Sequence, residues 1–202
     1  METTRILADE HRYILKVAGA LRKETEALAE GKPLDTAFFT TAVDFIRNYA
    51  DKFHHAKEED ILFVEFCNNL ENAHCNPVEQ MLHEHETGRE YVRGLEDAIK
   101  RKNVPDVIEN ARGYASLIEE HIYKEDNILY PMADQAIPAG MHEAMLGKFK
   151  RAEKMRFDRQ IKDRYMALAS ELEDNASRAA GYRRWGVMPL LQAYYKHKEG
   201  RK

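Results

Sequence analysis

Residues 54–63 read His-His-Ala-Lys-Glu-Glu-Asp-Ile-Leu-Phe, and residues 121–130 read His-Ile-Tyr-Lys-Glu-Asp-Asn-Ile-Leu-Tyr. Both fit one pattern, His-x-x-Lys-Glu-acid-[Asp/Asn]-Ile-Leu-aromatic. On an α-helix, residues four apart stand one turn above each other on the same face. The pattern therefore sets an imidazole beside a carboxylate twice, as His54 with Glu58 and as His121 with Glu125. The repetition extends outward. Glu10-His11, upstream of the first phrase, matches Glu84-His85, upstream of the second. The chain reads as two related helical hairpins that carry the two halves of one metal site.

Helical periodicity runs through the sequence, and no segment alternates in the manner of a strand. Helix 1 is predicted from about Thr4 to Ala29, stopping near Gly31-Lys32-Pro33. Helix 2 starts at Asp35, a suitable N-cap, and runs to about Asn69. Residues 72–77 connect it to helix 3, for which Pro77 is a good first residue and which ends near Arg101. Asn103-Val104-Pro105-Asp106 opens helix 4, which runs to about Asp134 before the break at Ile137-Pro138-Ala139-Gly140. Four long helices with short connections predict an all-α, up-down-up-down four-helix bundle over residues 1–136.

A shorter, highly charged helix is predicted from about Met141 to Glu173, as an additional helix packed on the bundle over residues 137–174. Residues 175–202 read as a basic C-terminal tail. It holds Arg178, Arg183, Arg184, Lys196, Lys198, Arg201 and Lys202 against the single acid Glu199, and the only tryptophan, Trp185. Its apolar run, 187–191, suits docking on the bundle, on a second copy in a homodimer, or on another protein. The other reading is a solvated tail.

At 202 residues the chain is long enough for one domain with an appendage and a sizeable core. A net charge of −4 gives no overall attraction to nucleic acid. No apolar run approaches the roughly 20 residues that span a bilayer. Residues 1–5 lack the basic start and apolar run of a signal peptide, so a cytoplasmic protein is expected. In that compartment Cys67 and Cys75 are expected to be reduced, and both lie outside the His/Glu phrases.

At about 100° per residue, His11 falls on the apolar stripe of helix 1 with Leu7, Ile14, Leu15 and Ala18. His54 and Glu58 fall with Val43, Ala50 and Ile61, while His55 lies on the stripe's edge beside Leu62. His85 shares the stripe of Val78, Met81, Leu82, Val92 and Ile99, with His83 opposite. His121 and Glu125 align with Tyr114, Leu117, Ile118, Ile128 and Met132. Glu59 and Asp60 point further out, and Asp126 lies at the edge of its stripe. His74, His142 and His197 read as surface residues. A single inward histidine is ordinary core, but here four come with two inward carboxylates, which are costly to bury unpaired. A cation removes that cost.

Imidazole and carboxylate without thiolate disfavour a cysteine-type zinc site and iron–sulfur chemistry. His11, His54, His55, His85 and His121 with Glu58 and Glu125 are too many donors for one octahedral ion and suit two. If both glutamates bridge, and an oxo or hydroxo group bridges as well, one position stays open for a small ligand. His55 decides that count: without it one ion has two open positions. Tyr114, on the helix-4 stripe, is read as core or as a support to the centre.

The order His11, His54-x-x-x-Glu58, His85, His121-x-x-x-Glu125 resembles the bacterial hemerythrin-like, or HHE cation-binding, family, with the likeness covering roughly residues 4–170. The resemblance implies a four-helix bundle around a non-haem di-iron centre. His11, His54, His85 and His121 match its histidine ligands, and Glu58 and Glu125 its bridging carboxylates. Oxygen carriers of the family have His-x-x-x-His on helix 3; here Met81 and Arg89 flank His85 at that spacing, so a fifth histidine would come from elsewhere, and the resemblance points to His55, since some members of the family use the residue directly after the helix-2 histidine. They also use His-x-x-x-x-Asp, a spacing Asp126 has, although Glu125 faces inward better. These departures disfavour simple reversible oxygen carriage. The expected function is binding or sensing of dioxygen, nitric oxide or iron. The alternatives are an enzyme acting on peroxide or nitric oxide, repair of iron centres, and a bundle whose His/Glu cluster holds a structural ion.

Overall fold

Residues 1–70, 77–156 and 159–186 are described by a computed structural model of the chain. His74, Cys75, the 187–191 run and His197 lie outside them. The described residues form six helices and no strand. Helix α1 spans Glu2–Ala29. Helix α2, over 36–68, is a continuous rod of four segments: Thr36–Phe45, Ile46–His55, Glu58–Leu62 and Phe63–Asn68. Helix α3 spans Pro77–Arg101. Helix α4, over 104–136, joins Val104–Lys124, Glu125–Leu129 and Tyr130–Ala136. Helices α5, Ala139–Arg156, and α6, Arg159–Gly186, follow.

The expected start signals are used. Asp35 accepts a hydrogen bond from the Phe38 amide at 3.0 Å, and Asn103 caps α4 through the Asp106 amide at 3.4 Å. Each supplies an acceptor to a first-turn amide that has no partner within its helix. Gly31 ends α1 with φ +93°, a left-handed conformation that glycine adopts without a Cβ penalty.

The core is divided into two apolar clusters, and the order in which each helix enters them shows the topology. One cluster holds Ile14, Phe53, Val92 and Ile122; the other holds Leu7, Ile61, Met81 and Leu129. From N- to C-terminus, α1 runs from the second cluster to the first, α2 from first to second, α3 from second to first and α4 from first to second. That alternation is an up-down-up-down bundle. On each helix the histidines and glutamates fall between the two clusters, so they form a polar layer sealed by apolar packing above and below. Each large apolar side chain buried there contributes about 1.5–3 kcal/mol, and this burial offsets the cost of the polar layer between.

Three stripe positions point outward, contrary to the periodicity reading: Leu15, Leu82 and Ile128 are 38%, 40% and 49% exposed. Leu15 and Leu82 directly follow Ile14 and Met81, and a helix turns one of two adjacent residues away. Ile128 lies in a π-helical turn, Glu125–Leu129. Its wider i→i+5 winding rotates successive residues by less than an α-helix does and brings Leu129 inward instead. The region after the bundle also differs. Two helices stand where one was expected over 141–173, and α6 runs through residue 174 as far as Gly186. No glycine or proline lies between Gly147 and Gly181, so the sequence carries no breaker signal there.

Helix α6 lies along α1 and also touches α2, burying Tyr165, Ala169, Leu172 and Ala176 at helical spacing. Lys16 reaches Ser170 at 3.1 Å and Glu173 at 3.0 Å across that seam. Helix α5 packs on α1 and on the π-helical parts of α2 through Met145 and Phe149. His142, read as a surface residue, is buried there, its Nδ1 2.7 Å from the Thr3 hydroxyl. The contact arises because α5 folds back over the first turn of α1. Cys67 is exposed.

Candidate metal centre

All seven residues singled out by the sequence lie in the polar layer, none more than 6% exposed. They fall into two groups of converging donor atoms: His11, His54, Glu58 and Glu125, and beside them His55, His85 and His121. In the first group the Nε2 atoms of His11 and His54 stand 2.9 Å apart, and in the second those of His85 and His121 stand 3.0 Å apart. Each glutamate faces both groups. Glu125 sets Oε2 3.2 Å from His11 Nε2 and Oε1 3.2 Å from His121 Nε2. Glu58 sets Oε1 3.5 Å from His54 Nε2 and Oε2 3.6 Å from His85 Nε2.

The local backbone explains how two adjacent histidines reach the interior. His54 and His55 end the π-helical segment Ile46–His55, whose wide turn narrows the angle between neighbours, so both side chains enter the core. His55 stacks on His85 with ring centroids 3.7 Å apart. Short π segments recur at functional sites, and here they lie beside the donors on α2 and α4.

A second ring of carboxylates orients the imidazoles. Glu10 accepts from His54 Nδ1 at 2.9 Å, Glu84 from His121 Nδ1 at 2.9 Å, Glu59 from His85 Nδ1 at 2.7 Å and Asp126 from His11 Nδ1 at 2.9 Å. Asp51 stands 3.6 Å from His55 Nδ1. An imidazole that donates from Nδ1 turns its Nε2 lone pair inward, the arrangement that supports a bound ion. Glu59, judged from periodicity to point outward, and Asp126, placed at the stripe's edge, thus each meet the outer nitrogen of one of these histidines.

The lysine of the repeated phrase has its place too. Lys57 ion-pairs with Glu10, and Lys124 with Glu84, so each hairpin holds the carboxylate that orients its own histidine. The first pair is buried under α5 and α6, with Glu153 at 3.2 Å and the Phe53 ring 3.8 Å below the ammonium; the second stays partly exposed. Arg89, at the helix-3 position where a second histidine was missing, joins Glu59 at 2.6 Å to Asp51 at 2.8 Å. It therefore holds the partners of both His85 and His55.

The proton affinities follow the charges. Burial disfavours charge on His11, but Asp126 and Glu125 outweigh it and raise its pKa to about 10. For His121, Glu125 and Glu84 outweigh burial and raise it to about 9. His54 is raised in the same way by Glu58 and Glu10. Burial and neighbouring imidazoles push His55 and His85 down to about 4. Glu10, Asp51, Glu59 and Glu84 are buried to different degrees, yet their cationic partners hold each at about 2.

Whether a cation fits is answered by the glutamates. Glu58 Oε2 and both oxygens of Glu125 are buried with no hydrogen bond, a state that costs about 1–3 kcal/mol per group or more for a charge. Oxygen and imidazole donors converging on such atoms suit one or two divalent or trivalent ions. A cavity of about 160 Å³ opens beside His55, His85 and His121, with Gly88 and Tyr114 in its wall. The Tyr114 hydroxyl is buried without a hydrogen-bond partner, so it makes no hydrogen bond to the donors. The tyrosine that does is Tyr130, which the sequence reading passed over. Its signal was the last position of the repeated phrase, Phe63 in one copy and Tyr130 in the other.

A family model described as the hemerythrin HHE cation binding domain matches residues 2–133, well over half of the chain. No curated protein and no solved structure matches it.

Proposed function

Because this chain belongs to the hemerythrin HHE cation-binding domain family, we propose that it is a non-haem di-iron protein that binds or senses a small ligand, dioxygen or nitric oxide, at a His/Glu centre. The observation that carries this reading is the position of Glu58 and Glu125, each with one oxygen toward each histidine group. His11 and His54 would hold one ion, and His55, His85 and His121 the other. Bound iron supplies reversible one-electron chemistry and sites for diatomic ligands.

The chain's own residues do the rest. The outer carboxylates fix the imidazole tautomers, and the two apolar clusters exclude bulk water. The cavity beside the three-histidine group offers a small ligand a way in. No helix among the described residues is long and apolar enough to cross a membrane. A cytoplasmic location, expected from the sequence of residues 1–5, is part of the same proposal. The unequal histidine count gives the two ions different surroundings, which suits a sensor or binder better than a merely structural site.

The test is spectroscopic. Ferrous protein prepared without oxygen is given air or nitric oxide, and a change in visible absorption is expected. An unchanged spectrum with iron bound would contradict ligand binding. His55→Ala is expected to keep the fold, weaken or lose one iron and alter the spectrum. His83→Ala, at an exposed position of α3, should do none of these.

A further inference from the structure

The two hairpins match closely around the centre, and they differ at two places that compensate. At the first, His55 in α2 corresponds to Ile122 in α4. At the second, Phe63 in α2 corresponds to Tyr130 in α4. Both aromatic rings take the same station. Phe63 lies parallel to His85 with centroids 6.0 Å apart, and Tyr130 lies parallel to His11 at 5.6 Å. The half whose ion would have three histidines carries a phenyl ring. The half whose ion would have two carries a phenol.

The phenol is aimed at the centre. Tyr130 is 3% exposed. Its hydroxyl donates a hydrogen bond to Glu58 Oε1 and stands 3.3 Å from His11 Nε2. Both of those atoms belong to the two-histidine group, and Glu58 Oε1 is the oxygen that faces His54. We propose that Tyr130 is a ligand of the two-histidine ion, taking the place that the third histidine takes on the other. The inference rests on the di-iron reading above.

With it, each ion has five protein donors: two histidines, one tyrosine and two carboxylate oxygens on one side, three histidines and two carboxylate oxygens on the other. Bond formation from the phenol oxygen releases its proton to solvent, as metal binding does for other protonated ligands. If an oxo or hydroxo group bridges as well, it would complete six donors on each ion and leave no position open to a diatomic ligand. A ligand binds by displacing Tyr130, and Tyr130 sets the selectivity of the centre.

Wild-type protein loaded with ferric iron is expected to show a phenolate-to-iron charge-transfer band in the visible. Resonance Raman excitation in that band should enhance tyrosine ring modes. Tyr130→Phe should keep two irons and the helical circular dichroism, lose the band and its ring modes, and bind azide more tightly and faster. Tyr114→Phe should keep the band. Two bound irons without tyrosinate modes in the wild type would overturn the proposal and leave the di-iron reading intact, as would a band unchanged in Tyr130→Phe. Should Tyr130→Phe fail to load iron, the wild-type Raman spectrum alone decides. Wild-type protein that takes up no iron would overturn both.

Discussion

Glu125→Ala, and separately Glu58→Ala, is expected to strip metal from the protein far more than Asp126→Ala or Glu59→Ala. The two inner carboxylates are fully buried, and each faces both histidine groups. On the proposed di-iron reading, losing one would remove a donor from each ion at once. Among the histidine atoms, Asp126 and Glu59 each meet only the far nitrogen of one imidazole. Removing such an outer partner typically costs about 10–100-fold in metal affinity, and the inner substitutions should exceed that clearly. Affinity is measured by competition with a chelator, with circular dichroism to confirm helicity. If Asp126→Ala loses its metal while Glu125→Ala retains it, the inner and outer assignments on α4 are reversed.

The second large effect is on stability, and it depends on pH. An ion that binds the folded chain at 100 times its dissociation constant stabilises it by about 2.7 kcal/mol, which shifts the midpoint of a chain this size by roughly 5–11 °C. In metal-free protein, His11 and His121 titrate at about 10 and about 9, and His54 is also raised. A raised histidine contributes stability that is complete below its unfolded pKa near 6.5 and is lost as pH rises through the folded value. Metal-free protein should therefore lose stability between about pH 6.5 and 10. His55 and His85, lowered to about 4, act oppositely: their contribution is present above 6.5 and lost as pH falls toward 4. The midpoint of the metal-free protein should peak near pH 6.5. Because metal replaces the protons on His11, His54 and His121, the rise on loading should be larger at pH 9 than at pH 6.5, at equal free metal. A flat metal-free profile from pH 6.5 to 9 would contradict the charged histidines.

The bundle was legible because its signals are periodic and local. Helical spacing, Asp35 and Asn103 as caps, and the duplicated phrase each carry their meaning within a few residues. Six of the seven inner residues were legible for a similar reason, since a place on an apolar stripe points a side chain inward whatever its partners; His55 was the exception. What stayed hidden depends on contacts between distant elements. Glu10 and His54 meet across the helices of one hairpin and Asp126 and His11 across the two, so no spacing announces them. The burial of His142 needs α5 to fold back onto Thr3. The π-helical turns were illegible in a different way. They change the angular step itself, so a reading at 100° per residue placed His55 at an edge and Ile128 inside. Arg89 was visible only as a departure from the His-x-x-x-His spacing; the structure shows it joining Asp51 to Glu59.

Two irons are proposed to sit side by side, one held by His11 and His54, the other by His55, His85 and His121, with Glu58 and Glu125 facing both. Elemental analysis of protein produced in iron-rich medium tests it most directly, counted against chain concentration from amino-acid analysis. The expected result is about two irons per chain in the wild type. One zinc per chain and no iron under the same conditions would contradict it.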